Sequence, residues 1–102
     1  MKNLRTRTTP EILEELGRRL RRTRLRANLG QAALAKTAGL GERTLRKFEQ
    51  GGDVQLSTLI DLLRALNRLE ALEDFLPDPG ISPMELLDRA GKQRRRASKK
   101  RG

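Results

Sequence analysis

Apolar residues recur every three or four positions along most of the chain, which is the period of an amphipathic helix. The first such run follows Thr9-Pro10-Glu11, in which Thr supplies an N-cap, Pro suits the first helical position and Glu favours the first turn. We predict a helix from this point to about Ala27. The residues predicted to face inward are Ile12, Leu13, Leu16, Leu20 and Leu25.

Two short helices joined by a tight turn are predicted within residues 29–51. The residues that share their inward faces are Leu34, Ala35, Ala38, Leu45 and Phe48. Between the two helices, Gly39 can take the left-handed conformation that ends a helix without a Cβ clash. Two helices at a steep angle around a turn of this kind form a helix-turn-helix.

A fourth helix is predicted from an N-cap at Ser57 through Asn67, and a short fifth helix follows it. The large apolar residues of this pair are Leu59, Ile60, Leu62, Leu63, Leu66, Leu69, Leu72, Phe75 and Leu76. Most of them belong in the core of the domain, but so small a domain cannot easily cover them all. We therefore interpret residues 56–76 as a dimer surface as well as core.

The last quarter of the chain begins with a break and ends in a basic tail. Pro77-Asp78-Pro79-Gly80 ends the domain, and Ser82 and Pro83 begin a brief helix to about Ala90. Residues 92–102 have no apolar pattern, so we predict that they are disordered.

Composition narrows the classes of function. The formal net charge is +10, and seven of the 23 Lys and Arg residues lie within residues 92–101, where there is no acidic residue. Cys and His are absent, which removes disulfides, the usual nucleophile–base pairs and most transition-metal sites. We therefore expect no enzyme, no catalytic residue, no metal and no cofactor.

No apolar run is long enough for a membrane span or a signal peptide, so we expect a cytoplasmic protein without a membrane partner. With no Trp, no Tyr and two Phe, the chain is poorly equipped to stack unpaired bases. A basic helix together with a basic tail instead favours double-stranded nucleic acid.

Ten positions at fixed spacing carry a family resemblance: Leu29, Gln31, Leu34, Ala35, Gly39, Thr44, Leu45, Phe48, Glu49 and Gly51. They resemble the Xre/Cro type of helix-turn-helix. The chain departs from that pattern at Gly30 and Gly41, where the family has Thr and Ser as N-caps and Gly is a weaker one.

The resemblance implies an all-α, five-helix domain of the Xre/lambda-repressor type, here with a short extra C-terminal helix and a disordered basic tail. The chain then divides into a flexible N-terminal arm (1–9), a helix-turn-helix DNA-binding and dimerisation domain (10–76), a linker with a short helix (77–91) and the tail (92–102). Its location would be cytoplasmic and nucleoid-associated.

The third predicted helix offers a basic face for the major groove. Arg43, Arg46 and Lys47 lie on the side away from the inward residues. Arg43 stands in the N-terminal turn and suits bidentate readout of guanine. Glu42 either accepts a hydrogen bond from cytosine or pairs with Arg46 one turn later.

Further roles follow from the resemblance. Gln31 opens the second helix and donates to a phosphate, and Thr44 contacts phosphate rather than a base. Arg24 pairs with Glu49 and is structural. The predicted DNA-binding residues are Gln31, Gly41, Glu42, Arg43, Thr44, Arg46 and Lys47. The other arginines of the first helix form a solvated face or reach phosphates, and the sequence leaves both open.

These observations favour a sequence-specific transcriptional regulator that acts as a homodimer on a palindromic operator of double-stranded DNA. The organisation resembles HipB-type antitoxins, which repress their own operon and hold a HipA-like kinase toxin. A stand-alone Xre-type repressor, phage-like or housekeeping, is the alternative. A different class is an interaction module that binds protein or RNA through the basic tail.

Overall fold

The computed structural model describes residues 4–99, with side chains described through Gly91. Its α-helices are α1 (Thr9–Arg26), α2 (Gln31–Ala38), α3 (Glu42–Glu49), α4 (Leu56–Ala65), α5 (Ala71–Phe75) and α6 (Pro83–Lys99). A single 3₁₀ turn, Leu4–Thr6, precedes α1. Within the described residues there is no strand, which confirms the predicted all-α class.

Two helices begin earlier than predicted. The N-cap of α1 is Thr8 rather than Thr9, because Thr8 and Glu11 form a capping box. In this box the Thr8 amide donates to the Glu11 carboxylate at 2.8 Å, and the Glu11 amide donates to Thr8 Oγ1 at 3.3 Å. The N-cap of α4 is Gln55, where the backbone is still extended, so Ser57 lies inside the helix and does not cap it.

The first four helices end in the same way. Each is followed by a residue with a positive φ, and these residues are Asn28, Gly39, Gly51 and Asn67. At the end of α2, for example, the Gly39 amide donates to Lys36 O at 3.1 Å and the Leu40 amide to Ala35 O at 2.8 Å. This paired hydrogen bonding is the Schellman motif, and it satisfies carbonyl groups that the end of a helix would leave unpaired. The predicted role of Gly39 is confirmed.

The core lies where α1 to α4 meet. Leu34, Leu45 and Leu62 are fully buried, and each such side chain contributes roughly 1.5–3 kcal/mol by leaving water. Two residues of α1 predicted to face inward do not do so, since Leu16 is 39% and Leu25 is 50% exposed. The buried residues of α1 are Gly17, Leu20 and Arg24. Leu20 is buried as predicted, and Arg24 is buried in an ion pair with Glu49.

The C-terminal segment leaves the domain. Every residue from Glu73 to Gly91 is exposed. Ser82 caps α6 as predicted, accepting a hydrogen bond from the Glu85 amide at 3.1 Å. The helix does not end near Ala90 but runs to Lys99, so the backbone of residues 92–99, predicted to be disordered, is helical.

The residue types explain why α6 continues. Lys, Gln, Arg and Ala have high helix propensity, and an interior glycine such as Gly91 weakens a helix by about 1 kcal/mol without stopping it. The remainder of the predicted tail, residues 100–102, and the first three residues of the predicted arm lie outside the described residues.

Candidate nucleic-acid interface

Helices α2 and α3 form the helix-turn-helix, and both begin with a glycine. Gly30 and Gly41 have extended backbones and make no side-chain capping bond. The amide groups in the first turn of each helix are therefore not capped by a side chain, and such amides bind anions well because they stand at the positive end of the helix dipole.

Helix α3 separates an apolar side from a basic side. Leu45 and Phe48 are buried against the core, which fixes the helix, while Arg43, Arg46 and Lys47 are exposed. A concave surface of about 400 Å³ runs along the exposed side, and we call it the α3 face. It is lined by Arg43, Thr44, Arg46, Lys47 and Gln50. Gln50, which sequence reasoning did not include, adds an amide that can donate to and accept from a base edge.

Glu42 is engaged with its neighbour one turn away. Arg46 Nη2 lies 3.1 Å from Glu42 Oε2, and both side chains are about half exposed. This is the ordinary i,i+4 pairing of helices, one of the two roles that the sequence left open. Exposed pairs of this kind contribute at most about 1 kcal/mol, so Arg46 remains available to a phosphate or a base.

A second concave surface continues from α3 to the start of α4. It is lined by Thr44, Lys47, Asp53, Val54, Gln55 and Thr58. The sequence analysis did not include Gln55 and Thr58 among the candidate binding residues. Their position at the N-terminus of α4 is the signal that could have indicated them, because a helix N-terminus favours anions. Asp53 adds one negative charge, so this surface is less suited to phosphate than the α3 face.

A buried ion pair ties α3 to α1. Arg24 Nε lies 2.6 Å from Glu49 Oε2 and Arg24 Nη2 lies 2.9 Å from Glu49 Oε1, with the two side chains 7% and 3% exposed. Arg24 Nη1 also donates to the carbonyl of Leu29 at 2.9 Å. The hydrogen bonds to Glu49 raise the pKa of Arg24. The pairing implied by the family resemblance is therefore present, and its bidentate geometry is the stronger kind.

Gln31 belongs partly to this same cluster. Its Nε2 donates to Glu49 Oε1 at 3.1 Å, and its side chain is half-buried. A side-chain amide carries two N–H groups, so one holds Glu49 and the second can still donate to a phosphate. The hydrogen bond to Glu49, which the sequence did not predict, fixes the position of the Gln31 side chain, and its contact with phosphate stays a prediction.

Apart from the buried Arg24, the arginines of α1 divide into two groups. Arg18 and Arg19 both donate to Glu15, at 2.8 and 3.0 Å, and these hydrogen bonds lower the pKa of Glu15 to about 2. The others, Arg21, Arg22 and Arg26, are exposed. The first group forms part of a solvated, internally paired face, while the second keeps its charge available to an outside partner.

Over residues 4–99, none of the helices is both long and apolar enough to cross a membrane. Among the side chains that the structure describes, no three Asp or Glu residues come together in a way that would hold a metal ion.

Comparison with known proteins agrees with this geometry. A search of curated protein sequences gives no match. The model of a family described as "Helix-turn-helix domain" matches residues 15–76, which is more than half of the chain and includes α2, α3, α4 and α5. The chain therefore belongs to this helix-turn-helix family of DNA-binding domains.

Proposed function

We propose that the protein is a transcriptional regulator that binds a specific sequence of double-stranded DNA. The observation that carries this proposal is the α3 face, where Arg43, Arg46 and Lys47 project from a helix whose opposite side is locked into the core. A helix of this width enters the major groove, where each base pair presents a distinct pattern of donors and acceptors.

The residues divide between reading and positioning. Arg43, in the first turn of α3, makes a bidentate contact with guanine, and Gln50 and Arg46 extend the readout along the same face. Gln31, Thr44 and the open amide groups after Gly30 and Gly41 hold phosphates and set the register of the protein on the duplex.

The regulator acts as a homodimer on a palindromic operator. Support comes from the apolar side chains that residues 56–76 leave exposed, among them Leu56, Phe75 and Leu76. The two α3 helices would then face half-sites one DNA turn apart, roughly 34–36 Å.

We further propose an antitoxin role, in which the protein represses its own operon and binds a HipA-like kinase toxin in the cytoplasm, at the nucleoid. The helix α6, which extends beyond the helix-turn-helix domain as the terminal extension of HipB-type antitoxins does, supports this role. A stand-alone repressor of the Xre type would bind DNA and dimerise in the same way but would have no toxin partner. Co-purification with a kinase-like protein encoded beside it separates the two.

The central test is selection of binding sites from a pool of randomised duplexes, followed by affinity measurements on the selected site. The double variant Arg43→Ala/Arg46→Ala is expected to lose the preference for that site. Arg64→Ala removes one exposed positive charge from α4, outside the α3 face, and serves as the control that keeps the preference. A protein that selects no sequence would instead indicate a module for protein or RNA, whereas a double variant that selects the same sequence would show that Arg43 and Arg46 do not read it.

A further inference from the structure

Lys47 lies where the two concave surfaces of the candidate interface meet. It lines the α3 face and also the neighbouring surface that continues to the start of α4, and Thr44 shares both positions. A lysine carries its charge at the end of a flexible four-carbon stem, so the position of that charge is normally poorly defined. Whatever holds the stem of Lys47 therefore decides where this charge meets DNA.

The turn after α3 leaves room for this stem. The helix ends in a Schellman motif, in which the Gly52 amide donates to Lys47 O at 2.8 Å and the Gly51 amide donates to Phe48 O at 3.0 Å. The motif brings Gly52 next to Lys47, and a side chain at the position of Gly52 commonly packs there. Because this position holds a glycine, the space is open to the stem of Lys47.

The stem of Lys47 occupies that space. A Cβ placed on Gly52 would lie 2.5 Å from Lys47 Cγ, 3.2 Å from Lys47 Cε and 2.9 Å from Lys47 O. The stem therefore runs across Gly52 from Cγ to Cε, in the place that a side chain of residue 52 would take. Contact along this length restricts the rotation of the stem, and any larger residue at this position would force it to turn away.

We propose that Gly52 is a positioning residue for DNA binding, which acts by holding Lys47 between the two surfaces. This inference rests on the proposed function, because the charge of Lys47 is held there for the DNA backbone. Immobilising a long side chain on binding costs roughly 2- to 12-fold in affinity, and a stem that already lies on Gly52 avoids much of this loss. Gly52 itself contributes no charge and no hydrogen-bonding side chain, so its effect passes through Lys47.

A double-mutant cycle tests this dependence. Gly52→Ala is expected to weaken binding to the selected operator and to random duplex alike, by roughly 2- to 12-fold, with no change in the preferred sequence. In a chain that already carries Lys47→Ala, Gly52→Ala is expected to have little further effect. Arg46→Ala is the matched control, because it removes another cation of the α3 face, one that pairs with Glu42. In that background Gly52→Ala should keep its full effect.

The free energy of unfolding of the same variants gives a second cycle that needs no DNA. Gly52→Ala is expected to destabilise the chain less once Lys47→Ala has removed Cγ and Cε, and no less in the Arg46→Ala background. Affinity is measured by fluorescence anisotropy at a temperature where every variant is folded, so lost stability does not enter it.

Two results would overturn the inference while leaving the proposed function intact. One is an equal loss of affinity from Gly52→Ala with and without Lys47, and the other is no loss of affinity in the otherwise unchanged chain. An unchanged chain that selects no operator would instead overturn the proposed function, and this inference with it, even where the stability cycle shows the contact between Gly52 and Lys47.

Discussion

Gly17 of α1 packs directly on the backbone carbonyl of Phe48 in α3. A Cβ placed on Gly17 would collide with Phe48 O and would lie 3.0 Å from Glu49 O. The two helices therefore approach at a distance that only glycine permits, and this approach brings the buried end of α3 against α1. The position of the α3 face thus depends on the absence of a side chain in another helix.

Substitution of this glycine is expected to destabilise the protein. Gly17→Ala forces the helices apart, and overpacking of this kind costs about 1–3 kcal/mol in the free energy of unfolding. Urea denaturation followed by circular dichroism measures the change. The control is Gly91→Ala in α6, where the added Cβ meets open space and the higher helix propensity of Ala leaves stability unchanged or slightly raised. Equal stability of the two variants would contradict the close approach.

The ion pair between Arg24 and Glu49 is expected to behave as a buried unit. Glu49→Gln leaves the Arg24 charge without its partner, which costs about 3–5 kcal/mol in the free energy of unfolding. Replacing both partners, in Arg24→Met/Glu49→Leu, removes the unpaired charge and recovers most of this loss. Arg46→Ala breaks only the exposed pair with Glu42 and changes stability by less than about 1 kcal/mol. A double variant as unstable as Glu49→Gln would show that the pair does not act as a unit.

Arg43→Ala is expected to reduce affinity for the selected operator by roughly 1–3 kcal/mol and to relax preference at one base pair in each half-site. The reason is the loss of a bidentate contact that distinguishes guanine from other bases. Fluorescence anisotropy on operators varied at each position gives the measurement. Lys47→Ala removes a positive charge from the same face and is expected to weaken all sequences alike. If Arg43→Ala also weakens random DNA to the same extent, Arg43 contacts phosphate.

Deletion of residues 92–102 is expected to weaken binding to operator and to random DNA together, with no change in the preferred sequence. This segment carries seven positive charges, which release counterions when they approach phosphates. The logarithm of affinity falls with the logarithm of salt by about 0.9 for each phosphate neutralised, so the truncated protein gives a shallower salt dependence. Identical slopes for the full and truncated chains would assign the segment to a protein partner instead.

Glu15 is expected to keep its charge in acid. Its pKa is lowered to about 2 by hydrogen bonds from Arg18 and Arg19, against about 4.3 for glutamate in an unfolded chain. A lowered pKa in the folded state means that the stabilisation is present above pH 4.3 and is lost as the pH falls towards 2. Titration of the Glu15 carboxyl carbon by NMR measures the midpoint. Arg19→Gln should move this midpoint upward, whereas Arg22→Gln should leave it in place.

The sequence predicted those parts of the fold that depend on neighbours along the chain. The helical period, the left-handed turn at Gly39 and the Ser82 cap all rest on contacts within a few residues. The exposed basic side of α3 was predicted from the same helical period, because Leu45 and Phe48 were expected to face the core, where they are indeed buried. The N-cap of α1 was misplaced by one residue because Thr8 and Thr9 are chemically alike and the bond to Glu11 decides between them.

What the sequence did not predict depends on helices that meet across the fold. The exposure of Leu16 and Leu25 follows from the rotation of α1 that places Gly17 and Arg24 inward. The hydrogen bond from Gln31 to Glu49 joins residues 18 positions apart and has no local signature. Likewise, Thr58 lies beside Thr44 and Lys47 only because the start of α4 is brought next to α3.

The carboxylate of Glu49 receives Arg24 from α1 and Gln31 from α2 while it forms the last residue of α3. A genetic screen for variants that no longer bind DNA will therefore recover Arg24 and Glu49 beside Arg43, although the first two contact no base. Thermal melting sorts such variants, because those at Arg24 and Glu49 unfold early and those at Arg43 do not. A map of DNA contacts drawn from loss of function alone would therefore wrongly include the buried residues Arg24 and Glu49.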